Sequence, residues 1–266
     1  KFYATPLTTF EDVETKALDQ ILNKAVKHIN FVYEGFQYKF YPSTPTVCYS
    51  KDNGLITIIR FVNYKIDENG NYINQKQIVT KNILGIVNKA KVYELKYDTM
   101  YDATYVGLED IRLKTDSNSD ELRFTANRGL PDGTMYVEYG YINLDSHTIE
   151  SNLISKQYSD IQQKIEKNWV LFGNSQIIYK WGPLTIMNTE GTILETYQTP
   201  HLFKYIRGST NGVEVGDETW FICHTVSYEA RRYYYHILVA LDSKTGKLLR
   251  WSKYFKLDGK EHVEYI

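Results

Sequence analysis

Short runs rich in Val, Ile, Tyr and Phe between turn-forming clusters, one layout repeated along four of them, and a single amphipathic stretch near the start carry the prediction. The expected fold class is all-β: a five-bladed β-propeller with an N-terminal helix. The expected organisation is an extension over residues 1–34 that holds the helix, and a propeller domain over 35–266.

The helix comes first. Val13, Ala17, Ile21, Ala25 and Ile29 recur every fourth residue with Leu18 and Leu22 alongside, Thr9 stands at the N-cap, and Glu11 and Asp12 fall in the first turn. That spacing predicts one amphipathic helix over residues 10–30. From Gly35 onward the apolar runs shorten, and turn signals separate them at Lys51-Asp52-Asn53-Gly54, Asp67 to Asn71, Asp116 to Asp120, Pro131-Asp132-Gly133, Thr189-Glu190-Gly191, Gly216-Asp217, Lys244-Thr245-Gly246 and Asp258-Gly259. With no helical pattern between them, the strands are expected to be antiparallel.

Four segments share the blade layout, in which a polar cluster leads into a strand, a turn and a second apolar strand. They run from Pro45 to Arg60, Gly107 to Ala126, Glu166 to Lys180 and Arg207 to His224. A fifth opens at Glu261, and residues 1–8 would complete it. The first strand of each propeller blade lines the centre, so the polar clusters are expected to converge.

Composition excludes several classes. The chain has 266 residues, 42% hydrophobic and 24% charged, enough for a core without disulfides. Lys+Arg 31 against Asp+Glu 32 gives a net charge of -1, so the chain lacks the basic excess of a general nucleic-acid binder. No run approaches the roughly 20 apolar residues of a membrane span, and no export signal is visible. Cys48 and Cys223 sit in apolar surroundings and read as buried thiols, and there is no Asn-x-Ser/Thr sequon. Cytoplasmic residence is the expectation. The 24 Tyr read first as strand residues, although a ring with a hydroxyl at its tip also suits sugar stacking.

At the polar clusters, Thr44-Pro45, Ile59-Arg60, Glu109-Asp110-Ile111-Arg112, Lys167-Asn168-Trp169-Val170-Leu171-Phe172 and Gly208-Ser209 through Cys223-His224 follow one another in order. In this series the chain resembles the five-bladed propellers of the mannoside phosphorylases, glycoside hydrolase family 130, and related propeller domains attached to bacterial and viral glycosyltransferases. That family carries an Asn-Pro lead-in, a strand ending Tyr-Arg, then Glu-Asp-Pro-Arg, Lys-Asn-x-x-Leu-Phe, and a Gly-rich lead-in to a strand ending Tyr-His. Thr44, Ile111 and Cys223 stand where the family has Asn, Pro and Tyr. Its phosphate-holding His-Arg-Pro corresponds to Tyr179-Lys180-Trp181-Gly182-Pro183, without an arginine. The Lys-, Asn-, Ile- and Tyr-rich usage fits an AT-rich genome, and the resemblance extends to glycan proteins of giant viruses.

The resemblance implies that Asp110 is the acid at a glycosidic bond, with Glu109 beside it. Adjacent strand residues face opposite ways, so only one of the two is expected in the funnel. The plain structural alternative is an ion pair between Asp110 and Arg112. Arg60, Arg112, Lys167, Arg207 and His224, with Lys180 as a weaker sixth, are the candidate anion holders, suited to phosphate or to the diphosphate of a nucleotide sugar. Asn63, Tyr64, Asn168, Trp181 and Asn211 are the candidate sugar contacts, and Trp169 reads as core. No metal-binding pattern, Asp-x-Asp or nucleotide-loop motif is present, so sugar transfer without a metal or other cofactor is expected. Two readings stay open: a glycosyl-transferring enzyme acting on mannose-like sugars, and a non-catalytic glycan-binding or partner-organising module of a larger glycosyltransferase.

Overall fold

The computed structural model describes residues 29–33, 36–67, 72–73, 77–100, 102–116, 118–154, 164–228 and 232–256. These form four sheets of four to six strands, antiparallel except for one short parallel pairing, in a β-propeller arrangement, and one two-stranded ribbon. The chain divides into two compact units, an N-terminal one through Ile154 that also takes residues 164–167, and a C-terminal one from Asn168.

In the N-terminal unit the first sheet runs in the order Ile29–Tyr33, Phe36–Ser50, Gly54–Val62, Ile78–Ile86, Lys91–Glu94, with Tyr105–Val106 parallel to Ile78–Ile86. The second runs Thr148–Leu153, Met135–Asn143, Leu122–Gly129, Leu108–Thr115. The strand Gly54–Val62 is buried on both faces. Ile56 and Ile58 join Leu84, Leu108, Leu113, Leu122 and Phe124 in one cluster, while Ile59 and Phe61 join Phe40, Val79 and Ile83 in another. The two-residue period therefore puts Arg60 on the face of Ile56 and Ile58, which looks toward the second sheet.

In the C-terminal unit the third sheet runs Val170–Phe172, Gln176–Trp181, Leu184–Asn188, Ile193–Tyr197. The fourth runs Arg207–Gly208, Glu218–Tyr228, Arg232–Asp242, Leu248–Trp251, with Val213–Val215 also on Glu218–Tyr228. Phe172, Ile178, Trp181, Phe203, Phe221, Cys223 and Val239 fill its core. Full burial of this many large side chains is the main favourable term, at about 1.5–3 kcal/mol for each.

All four segments of the repeated layout become sheets, but the count among the described residues is four and not five. The chain around residues 29–50 pairs into the first sheet, and the pieces assigned to a fifth blade, residues 1–8 and 261–266, lie outside the described residues. So does the helix expected over 10–30, except for Ile29 and Asn30, which belong to a strand. Of the two thiols, both free, Cys223 is buried and Cys48 half-buried. Among the described residues no helix is long and apolar enough to cross a membrane.

Candidate functional site

The site in the N-terminal unit is made by a defect in strand pairing. Along Leu108–Thr115, Arg112 lies opposite Thr125 and Glu109 opposite Asn127, so Asp110 and Ile111 together face Ala126. This is a β-bulge, and Asp110 takes φ 51, a left-handed conformation that Asp tolerates better than most residues. The strand Phe36–Ser50 has a matching irregularity. Pro42 pairs with Phe61 and Pro45 with Ile59, which leaves Ser43 and Thr44 opposite Arg60. Prolines donate no ladder hydrogen bond, so they sit naturally at such breaks.

The bulge overturns the expectation that Glu109 and Asp110 face opposite ways. Both carboxylates meet one guanidinium: Arg60 Nη2 donates to Glu109 Oε1 at 2.7 Å and Nη1 to Asp110 Oδ1 at 2.7 Å. Arg60 Nε donates to the Thr80 hydroxyl at 3.3 Å. Asp110 also accepts from the Thr44 hydroxyl (3.4 Å) and the Asn127 amide (3.3 Å). Arg112 Nη1 donates to the backbone carbonyl of Asp110 at 3.0 Å, so one arginine holds the side chain and another the bulged main chain.

Burial and charge push the two carboxyl groups apart. Burial dominates at Glu109 and raises it above the usual carboxylate range, against the pull of Arg60 and with the neighbouring Asp110 charge adding to the rise. At Asp110 burial also raises, but Arg60, then Arg112 and Lys167, together outweigh it and hold the group low. Arg60 is disfavoured by burial, yet Glu109 and Asp110 more than compensate and its charge is held firmly. Two carboxylates in unlike environments are the arrangement from which acid and base roles are drawn. Lys167 is exposed and acts on both of them.

The remaining sequence candidates are placed as follows. Tyr64 is buried beside Arg60, and burial raises its hydroxyl. Asn63 clasps a neighbouring strand, accepting from the Val79 amide (2.9 Å) and donating to the Gln77 carbonyl (3.2 Å). In the C-terminal unit, Trp181 packs in the core edge-on to Phe221 with centroids 5.3 Å apart, and does not present a face to solvent. Trp169 is buried as expected. Asn168 has φ 65, and Asn211 accepts the Leu171 amide at 2.8 Å. His224 Nδ1 lies 2.7 Å from the Ser209 hydroxyl, and Arg207 is exposed opposite His224 in the ladder.

Thus Arg60, Glu109, Asp110, Arg112, Tyr64 and the field of Lys167 come together in one unit, while Arg207, His224, Asn168, Trp181 and Asn211 belong to the other. Thr80 and Asn127 were missed. Asn127 carried little signal, being the one amide side chain in the strand Leu122–Gly129, between Ala126 and Arg128. Among the described residues no group of three or more His, Cys, Asp or Glu has a geometry that would hold a metal ion.

No family model matches the chain, and no curated protein matches it. Among solved structures it is similar to the β-1,2-mannobiose phosphorylase from Listeria innocua in complex with β-1,2-mannobiose, with a TM-score of 0.54 and 8% identity over 85% of this chain and 78% of that one. It also aligns with the α-L-arabinanase of Cellvibrio cellulosa complexed with arabinohexaose, with a TM-score of 0.38 and 9% identity over 81% of this chain and 78% of that one. At such identity the likeness to the phosphorylase is one of fold: this chain has a β-propeller fold.

Proposed function

We propose that the chain is a carbohydrate-active protein that transfers a glycosyl unit on mannose-like sugars, with Asp110 as the proton-transfer group and a sugar phosphate or nucleotide sugar as donor. The observation that carries this reading is the Arg60 guanidinium forked between Glu109 and Asp110 at 2.7 Å each. The fold shared with a structure named as a mannobiose phosphorylase supports the sugar class.

The electrostatics give the proposal a mechanism. Without ligand, Asp110 is ionised because Arg60, Arg112 and Lys167 surround it. An anionic donor drawn to the exposed Lys167 would offset part of that positive field. The Asp110 carboxyl would then rise toward the value at which it can hold and deliver a proton to a leaving oxygen. Glu109, already raised, stays on Arg60 and keeps the guanidinium aimed. Asn63 and Tyr64, which lie in the same unit as Asp110, are retained as sugar contacts.

A second reading has its own observation. Asp110 already accepts from Arg60, Thr44 and Asn127, as a purely structural carboxylate would. On that reading the chain is a glycan-binding or partner-organising module of a larger glycosyltransferase. A screen of sugar phosphates and nucleotide sugars with short mannosides, run on the unmodified chain, Asp110→Asn and Glu109→Gln, separates them. Turnover lost in Asp110→Asn supports the proposal. Turnover that survives there but is lost in Glu109→Gln moves the acid to Glu109, and mannoside binding without turnover in any form establishes the module.

A further inference from the structure

A two-stranded ribbon, Lys65–Ile66 paired with Tyr72–Ile73, rises directly beyond the strand that carries Arg60. Ile66 faces Tyr72 in the ladder, and Ile66, Tyr72 and Ile73 are exposed at 50%, 47% and 38%. Tyr64 is buried, and the Tyr64 and Tyr72 rings meet edge to face with centroids 4.5 Å apart. The charge of Arg60 is influenced by both hydroxyls, and Tyr64 in turn feels Glu109 and Asp110. Exposure thus falls from Tyr72, half-open with aliphatic neighbours, to Tyr64 in contact with it and to the forked arginine, both buried.

Exposed apolar groups beside a buried ionic cluster call for an occupant that is polar at its rim and apolar on its faces, which describes a pyranose ring. The ring at the carboxylates would meet Tyr64 and the ions. A unit linked to it extends outward, where Tyr72 stands one aromatic ring further from the charges. Resting on the proposed sugar site, we propose that Tyr72 is a stacking wall for the second sugar unit, so that the ribbon sets a preference for disaccharides and longer chains over monosaccharides.

The test is calorimetric binding of mannobiose and of mannose to the unmodified chain, Tyr72→Ala and Tyr72→Phe. Loss of one stacked ring should weaken mannobiose about tenfold in Tyr72→Ala and leave mannose within about twofold. Tyr72→Phe should restore the mannobiose affinity to within about threefold of the original. Equal weakening of both sugars in Tyr72→Ala, or no weakening of mannobiose, overturns the wall while leaving the sugar site standing. Failure of the unmodified chain to bind either sugar overturns both. Because the ribbon is exposed, an unchanged circular dichroism spectrum is expected, and a folding defect in Tyr72→Ala would show as parallel loss for both sugars, which counts against the proposal.

Discussion

Arg60→Met leaves Glu109 and Asp110 buried without their common counter-charge. Arg60 and Glu109 are 7% and 8% exposed, so solvent replaces little of what is lost. Removing one partner of a buried pair costs about 3–5 kcal/mol. Here one substitution strips two carboxylates, while Asp110 keeps Thr44 and Asn127, so a loss near the middle of that range, about 4 kcal/mol, is expected. Its pH dependence has a defined sign. In the variant, Arg60 no longer opposes burial at Glu109, whose folded value lies further above its unfolded one, while Arg112 and Lys167 still lower Asp110. The Glu109 part of the destabilisation should be full above its raised folded value and should fade as pH falls toward the unfolded value of 4.5. In the triple variant Arg60→Met, Glu109→Gln, Asp110→Asn most of the loss should be recovered. All four Trp, from Trp169 onward, belong to the C-terminal unit, so tryptophan fluorescence does not report on the affected one. Urea unfolding followed by far-ultraviolet circular dichroism, with amide exchange resolved by residue, is the appropriate assay. A cost below about 1 kcal/mol, or a triple variant no better than the single one, would refute the reasoning.

Two other perturbations test other parts of the structure. Asp120, with φ 57, accepts from the Ser50 hydroxyl (2.6 Å), the Lys51 amide (2.8 Å) and the Asp52 amide (3.2 Å); Asp120→Ala should cost about 1–2 kcal/mol after solvent screening and speed exchange of those two amides. Burial raises its carboxyl, but Ser50 and then the two amides outweigh it and hold it low, so this stabilisation is present above about pH 3.8 and is lost as pH falls further. His236 is fully buried with no hydrogen-bond partner at either ring nitrogen, and burial lowers its proton affinity. Stability of the C-terminal unit should therefore fall as pH drops from 6.5 through the lower folded value, and His236→Leu, read by tryptophan fluorescence, should flatten that dependence and add about 1–3 kcal/mol at low pH.

The four sheets were legible because turns such as Lys51 to Gly54 and Lys244 to Gly246 are chemically distinctive, and because the runs between them are short and rich in Val, Ile, Tyr and Phe. The fifth blade was an extrapolation from a few residues at each end, and Ile29 shows how an apolar position at helical spacing serves equally well in a strand. The site was legible in its residue types but not in its geometry. Alternation assigns Glu109 and Asp110 to opposite faces, and only the bulge, whose sole trace is an Asp that can adopt positive φ, brings them onto Arg60. Trp181, followed by Gly182-Pro183, read as a loop aromatic, yet Phe221 and the rest of the core enclose it. Tyr72 could not be found at all, because its ribbon is two residues long and lies in a stretch whose Asn and Gly content reads as a turn.

The left-handed backbone at Asp110 changes how substitutions there must be interpreted. Only Asp, Asn and Gly enter that region readily, and any other residue adds about 1–2 kcal/mol of main-chain cost before its chemistry is considered. An alanine or serine scan through this position would thus mix displacement of the Glu109 and Asp110 carbonyls with loss of a carboxylate, and would overstate the part played by the acid. Asparagine alone changes the charge while keeping both the shape and the turn of the chain.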